Sequence, residues 1–353
     1  MPDERARRWT RRLQLILVPV VLIGCRGGIG RRETIPPVGF DPAPIVAREV
    51  RLARPISPEA DGAGFARAAT MGFDGDRMLV LEIANSRLVI FDSTFRPIAT
   101  IGRPGAGPGE LRGVLGLAVW NGEYAITEVN NGRISVFARD GTFRRVIPLP
   151  NGFTEVGYAP DGALYVSAYD QRDYLLAIDR DGIARPFAER PWELYSDDVL
   201  SSTLLPGGPV KFAVTDSGTV HVYDAELGAL IKYSPGGRRL AARRLPSPVI
   251  DWLTERSALV MKDFGGSARN ARPRVTGLSA TDDGRLLLTF PAKDGMFGLL
   301  VEAASYRTRP LRWASGTDPQ LAGFAGVVHR GRFYRLGSDD VRVFQLEPEG
   351  PAR

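Results

Sequence analysis

A chain of 353 residues that is 44% hydrophobic and 24% charged carries enough apolar side chain for a large core, which excludes a wholly disordered or fibrous protein. The formal charge is +6, but the first 24 residues alone hold a net +3, with Arg5, Arg7, Arg8, Arg11 and Arg12 against Asp3 and Glu4. No basic stripe interleaved with aromatics follows, so nucleic acid is not an expected partner. The single cysteine excludes both a disulfide framework and a thiolate zinc site.

The Arg-rich start leads into the apolar run LQLILVPVVLIG, Leu13 to Gly24, and then Cys25. Such a run is short for a membrane span and has the pattern of a secretory signal over residues 1–24. Leu22-Ile23-Gly24-Cys25 resembles the bacterial lipobox, in which the signal is cut before a cysteine that carries lipid. The resemblance implies lipidation of Cys25 and attachment to the bacterial cell envelope, on the periplasmic or cell-surface side. Residues 25–47, with early Gly and later Pro, read as a flexible tether. "REVRLAR", Arg48 to Arg54, is an alternating segment with no neighbour in sequence to pair with.

Next comes "VLEIANSRLVIFD", Val80 to Asp92, and after it "ITEVNNGRISVFA", Ile126 to Ala138. Each is a hairpin pattern in which Glu82 matches Glu128, Asn85 matches Asn131, Arg87 matches Arg133 and Phe91 matches Phe137. The turn at Asn130-Asn131-Gly132 uses residues that reach positive φ at little cost. The same nine-position spacing recurs from Tyr169 to Ile178, Asp224 to Tyr233, Phe290 to Leu299 and Arg335 to Phe344. A period of roughly 40 to 50 residues made of four strands is the signature of propeller blades.

The stretch Ile101 to Phe143, with its Gly-rich lead-in, acidic residue, Asn-x-Arg turn and Phe strand, resembles an NHL repeat. With the lipobox, the chain is similar to bacterial lipoproteins that carry an NHL-like propeller. The expected fold is all-β: a six-bladed β-propeller of four-stranded antiparallel blades over residues 48–346, followed by a tail at 347–353. The last copy supplies three strands, so residues 48–54 are expected to close the ring as its fourth. Residues 191–209 and 246–272 interrupt the count. In the second, Ser247 and Pro248 cap a helix near 247–264 that places Val249, Trp252, Leu253, Val260 and Phe264 on one face and stops at Gly265-Gly266.

In NHL-like blades the position before the Asn-x-Arg turn ends the second strand near the top face. Its equivalents are Glu82, Glu128, Tyr169, Asp224, Phe290 and Arg335, a mixed polar and aromatic set of the kind a binding site uses. The alternative is that the carboxylates brace their own turns. The expected function is a non-catalytic binding or scaffold propeller for a peptide, glycan or protein ligand, with no cofactor. The rival is a metal-dependent hydrolase or lactonase in which Glu82, Glu128 and Asp224 hold Ca²⁺ or another hard divalent cation. His221 and His329 occupy different repeat positions and read as structural, which speaks against a His-ligated zinc lyase. "GRPGAGPGE", Gly102 to Glu110, fits neither nucleotide-binding glycine pattern and reads as a connector between blades.

Overall fold

Many strands of this chain are short apolar runs in which both side-chain faces are hydrophobic, and such strands need cover on each side. Sheets stacked face to face supply it. The computed structural model describes residues 34–52, 56, 65, 67–149, 155–167, 172–196, 210–263, 271–293, 296–314, 326–337 and 340–348. Thr34–Arg353 form one compact unit, while Met1–Glu33, Cys25 among them, and also Tyr169, Phe264 and Gly265-Gly266, lie outside the described residues.

The chain opens with β1 (Gly39–Phe40) and β2 (Ile45–Glu49). Four discrete antiparallel sheets of four strands follow. The first is β3 (Ala68–Asp74), β4 (Arg77–Glu82), β5 (Arg87–Phe91) and β6 (Pro97–Ile101). The second is β7 (Val114–Trp120), β8 (Glu123–Glu128), β9 (Arg133–Ala138) and β10 (Phe143–Pro148). The third is β11 (Val156–Tyr158), β12 (Leu164–Ser167), β13 (Asp173–Ile178) and β14 (Ala184–Glu189). The fourth is β15 (Lys211–Val214), β16 (Val220–Asp224), β17 (Ala229–Tyr233) and β18 (Arg239–Arg244).

A helix, α1 (Ser247–Asp263), separates these blades from β19 (Gly277–Ala280), β20 (Arg285–Lys293), β21 (Met296–Glu302), β22 (Arg307–Trp313), β23 (Gly326–His329), β24 (Arg332–Leu336) and β25 (Val341–Pro348). These last strands do not form two further separate blades. β2 lies between β22 and β25, parallel to the first and antiparallel to the second, and β1 adds to β22. The result is one nine-stranded mixed sheet.

This corrects the expected six-bladed propeller: four blades are discrete, and the rest of the strands merge into a single sheet. The physical reason is that the nine-position spacing counts hairpins. Glu82 pairs with Arg87 and Met78 with Phe91, and the second blade repeats this as Glu128 with Arg133 and Tyr124 with Phe137. A hairpin keeps that register whether its sheet ends beside it or continues into a strand from elsewhere. The closing strand is also displaced from Arg48–Arg54 to Ile45–Glu49, because Ile45 and Ala47 are the residues that fill buried positions.

Apolar clusters occupy the spaces between successive sheets. Leu79, Leu81 and Leu88 of the first blade meet Val114, Tyr124 and Ile126 of the second. Ile134 and Val136 meet Leu164 and Val166 of the third, and Tyr174 and Phe187 meet Val222 and Ile231 of the fourth. Tyr223 and Leu230 meet Leu286 and Leu299 of the large sheet, whose other half packs Tyr334 and Val343 against Val80 and Val89 of the first blade. The first strands of the four blades and the two end strands of the large sheet accordingly touch in cyclic order. α1 packs its Val249, Trp252 and Leu253 into the cluster beside Phe290, three of the five residues that its sequence periodicity places on one face; the side chains of Val260 and Phe264 lie outside the described ones.

Candidate functional site

In three blades the repeat position chosen from sequence falls at the end of the second strand, where Glu82 closes β4, Glu128 closes β8 and Asp224 closes β16, whereas Phe290 lies within β20 and Arg335 before the end of β24. Glu128 is buried, and its carboxylate is fully used inside its own blade. It accepts from the backbone N–H of Arg112 at 2.9 Å and from Arg133 Nε at 2.9 Å, together with the side chains of Asn131 and Ser135. Arg133 then spends its remaining N–H groups on the connector, donating to the carbonyls of Ala106 at 2.8 Å, Gly107 at 3.1 Å and Glu110 at 2.8 Å. The recurring Glu-x-x-Asn-x-Arg pattern is thus a clamp that holds hairpin to connector. Gly132 completes the hairpin at φ +59, where a side chain would be strained. Glu82 repeats the clamp with Asn85 at 2.6 Å and with Arg87.

Asp224 is different. Its Oδ1 accepts the backbone N–H groups of Glu226 at 2.7 Å and Leu227 at 3.0 Å, and its Oδ2 accepts the hydroxyls of Tyr174 and Tyr195. Tyr174 comes from β13 of the neighbouring blade, and Tyr195 from the end of the short 3-10 turn Trp192–Leu194. Burial, with the adjacent Asp224 charge, pushes both phenols above their ordinary range, so they act as donors. Arg190, which follows β14, lies with its guanidinium 4.4 Å over the Tyr174 ring and its Nη1 3.9 Å from Asp224 Oδ2. It is 3% exposed, and its Nε and Nη2 have no hydrogen-bond partner among the described residues.

The other predicted positions serve their own surroundings. Phe290 packs edge-on against Trp252 of α1, with ring centroids 5.3 Å apart. Arg335, buried in β24, donates to Asp340 at 2.7 Å. Five of the six predicted residues are therefore described: Glu82, Glu128 and Arg335 bond within their own hairpins and connector, whereas Asp224 and Phe290 meet residues of other elements. A cleft of about 310 Å³ lies apart from them, lined by Arg172, Asp173, Phe187 and Glu189 with Gly236 and Gly237 of the next blade. Among the described residues no group of three or more His, Cys, Asp or Glu is placed to hold a metal ion. The oxygens proposed as ligands for a hard cation, on Glu82, Glu128 and Asp224, are already taken by guanidinium, amide, hydroxyl and backbone donors, so they do not fit that group.

Sequence reasoning missed Arg190, Tyr174 and Tyr195. The available signal was the aromatic "PWELY" that opens the interruption after Arg190, a dense apolar and aromatic stretch where a plain connector would be polar.

Both histidines are structural in their placement. His329 stacks on Phe73 at 4.1 Å and its Nε2 lies 3.0 Å from the Gly75 carbonyl. His221 is fully buried in β16, edge-on to Tyr306, with Lys232 opposite on β17, Arg243 over the Tyr306 ring, and neither ring nitrogen partnered among the described residues. Burial, and then the Lys232 charge, lower its pKa from 6.5 to about 4. Because the unfolded chain takes up this proton first, stability is lost as pH falls from about 6.5 towards about 4 and changes no further below that. The expected loss from this group is about 2 kcal/mol between pH 7.5 and pH 5. Urea titrations at the two pH values should show it in the wild type and not in His221→Leu; an equal loss in both would assign the pH dependence elsewhere.

No protein-family model and no curated protein sequence matches the chain. The NHL-repeat reading is corrected on the sheet count, and the short motif it rested on is a clamp that two blades share. Solved structures are similar in fold. A streptogramin B lyase aligns at 12% identity with a TM-score of 0.54, covering 87% of this chain and 94% of that one. A putative exported protein from Bacteroides fragilis aligns at 12% identity and TM-score 0.52, covering 90% and 100%. A catalytically inactive virginiamycin B lyase from Staphylococcus aureus, in a structure with quinupristin, aligns at 14% identity and TM-score 0.51, covering 80% and 81%. At these identities the likeness is one of fold, shared by lyases and by proteins of no stated activity. No helix among the described residues is long and apolar enough to cross a membrane.

Proposed function

We propose that the protein is an envelope-anchored, non-catalytic binding propeller, held by lipid on Cys25 and recognising a peptide, glycan or protein ligand at the end of the blades where the second strands finish. The observation that carries this reading is the state of its polar groups. The carboxylates at that end, Glu82, Glu128 and Asp224, are saturated by internal donors, which leaves none as a free base, nucleophile or cation ligand. Binding needs a rigid frame whose own polar groups stay fixed, whereas hydrolysis needs a carboxylate able to change partner or protonation.

The anchored location rests on the lipobox and on the single cysteine. In a Cys25→Ser chain, membrane association and signal processing should both be lost on fractionation; retention of both would remove the lipid from this account.

For the binding role, the domain from residue 26 onward can be screened against peptide and glycan arrays while turnover of a panel of lactones is followed with EDTA, Ca²⁺ or Zn²⁺. Saturable binding without turnover is the expected result. Metal-dependent turnover abolished by Asp224→Asn would replace the reading with the hydrolase. Turnover of quinupristin would replace it with a lyase like those of similar fold.

A further inference from the structure

We propose that the outer rim formed by β18 and β1 is the surface on which the domain rests against an anionic lipid bilayer. The proposal rests on the lipid anchoring proposed above and gives the anchored domain an orientation.

This rim is where the chain enters the fold. Arg244 N–H, at the end of β18, donates to the Pro36 carbonyl at 2.9 Å, and Val38 N–H donates to the Arg244 carbonyl at 2.8 Å. Ile35 packs against the cluster between the third and fourth blades, and β1 then pairs with the start of β22. Nine residues, Cys25 to Glu33, separate the lipid-bearing position from Thr34. Fully extended they reach about 30 Å at most, against about 50 Å across for a domain of this size. The rim around Thr34 is therefore the part of the domain that a bilayer holding Cys25 meets first.

The chemistry of the rim suits such a surface. β18 carries Arg239, Arg243 and Arg244, with Arg238 just before it and no carboxylate in the strand. Arg238 and Arg244 are exposed and have no ion pair among the described residues. Beside β1, Arg307 and Arg309 share one carboxylate, that of Asp41, at 2.8 and 3.8 Å. Arg239 is matched by Glu193 at 2.8 Å, and Glu302 stands at the turn before β22, so these six arginines face three carboxylates and a positive excess remains. Two large apolar side chains are exposed among the charges: Leu240 of β18 at 45% and Phe40 of β1 at 47%. Guanidinium groups pair with lipid phosphates while apolar neighbours enter the headgroup layer, and the combination holds a protein at a membrane interface. The other blade rims offer less. β6 has no charged residue, and β14 balances Arg185 with Glu189. β10 exposes Arg144 and Val146, but it lies two blades from the point of entry and its Arg145 is 3.6 Å from Glu123.

Cys25 is the only cysteine and carries the lipid under this anchoring, so a cysteine placed elsewhere can be labelled alone in the mature, lipidated chain. Leu240→Cys, Phe40→Cys and, on the rim of the second blade, Val146→Cys are each labelled with a polarity-sensitive dye. The chains are then reconstituted into vesicles of phosphatidylcholine, alone or mixed with phosphatidylglycerol. Dye emission at positions 40 and 240 should shift to the blue in the anionic vesicles only and return in high salt, whereas position 146 should not respond. Arg238→Glu combined with Arg244→Glu should abolish the shift at position 240 while the chain stays with the vesicles. Equal emission in the two vesicle types at positions 40 and 240, an equal response at position 146, or a shift that survives the charge reversal would overturn the proposal. The comparison of the two vesicle types decides even where the charge-reversed chain does not fold. A chain that carries acyl mass on Cys25 but shows no site-specific shift loses only this orientation, whereas a chain without acyl mass loses the anchor and the orientation with it.

Discussion

A chain lacking residues 34–50 is expected to lose its single cooperative unfolding transition and to aggregate. β2 is the strand that makes β22 and β25 neighbours in one sheet, so its removal exposes an edge on each. Open edges of that length pair with whatever strand is available. Ahead of it, the chain from Pro36 already ties down another part of the molecule, since Arg244 N–H donates to the Pro36 carbonyl at 2.9 Å and Val38 N–H donates to the Arg244 carbonyl at 2.8 Å. One segment therefore joins the fourth blade to both halves of the large sheet. Ala47→Pro is the milder form of the same test. Val50 N–H donates to Val343 on the β25 side, so by strand alternation Ala47 faces β22, where its carbonyl accepts from Ala314 at 3.0 Å. Proline there removes a ladder bond in a central strand and should cost about 1–3 kcal/mol for the acceptor left unpaired, read as a fall in the urea midpoint at unchanged slope. A stable, monomeric deletion chain would show that the blades do not depend on this strand.

Arg133→Ala should cost about 3–5 kcal/mol, the range for breaking a buried ion pair by removing one partner. The side chain of Glu128 is 0% exposed and that of Arg133 14% exposed, so water replaces little of what is lost. The three connector carbonyls served by Arg133 lose their donor in the same step. Arg133→Lys should recover only part of the loss, since an ammonium cannot span the carboxylate and the connector together. In a double-mutant cycle with Glu128→Gln, the coupling should exceed about 1.5 kcal/mol, because the two side chains form one network. A loss below about 1 kcal/mol for Arg133→Ala would mean that the connector holds its shape alone. Arg87→Ala tests the same clamp in the first blade.

The parts of the fold that were legible in sequence are local. The hairpins show because a strand, a turn with Gly or Asn, and a second strand of matching length leave a spacing that survives divergence, as at Glu82 to Phe91 and Glu128 to Phe137. The helix shows because Val249, Trp252 and Leu253 keep a helical period after Ser247-Pro248. What was not legible depends on contacts between segments far apart in the chain. Nothing in "IVARE" states that Ile45 pairs at once with Leu311 and Pro348. The site divides in the same way. The bracing of Glu128 could be read from an Arg five residues on, whereas the corner at Asp224 draws Tyr174, Arg190 and Tyr195 from another blade and from an interruption. Equivalent repeat positions located the strand ends at Glu82, Glu128 and Asp224 but could not say which end had a neighbour reaching in.

The placement of β2 also bears on how the protein withstands load. A domain tethered to an envelope through its N-terminus is pulled from that end whenever its partner or the surrounding layer moves. β2 runs parallel to β22, so a pull along its axis strains the bonds of that ladder together, in shear, instead of opening them one at a time as at a frayed hairpin. The short pairing of β1 with the same strand, and the Pro36 and Val38 bonds to the fourth blade, meet the force first and divide it between two sheets. Under the anchoring proposed above, the strand that completes the fold would also serve as its mechanical clasp.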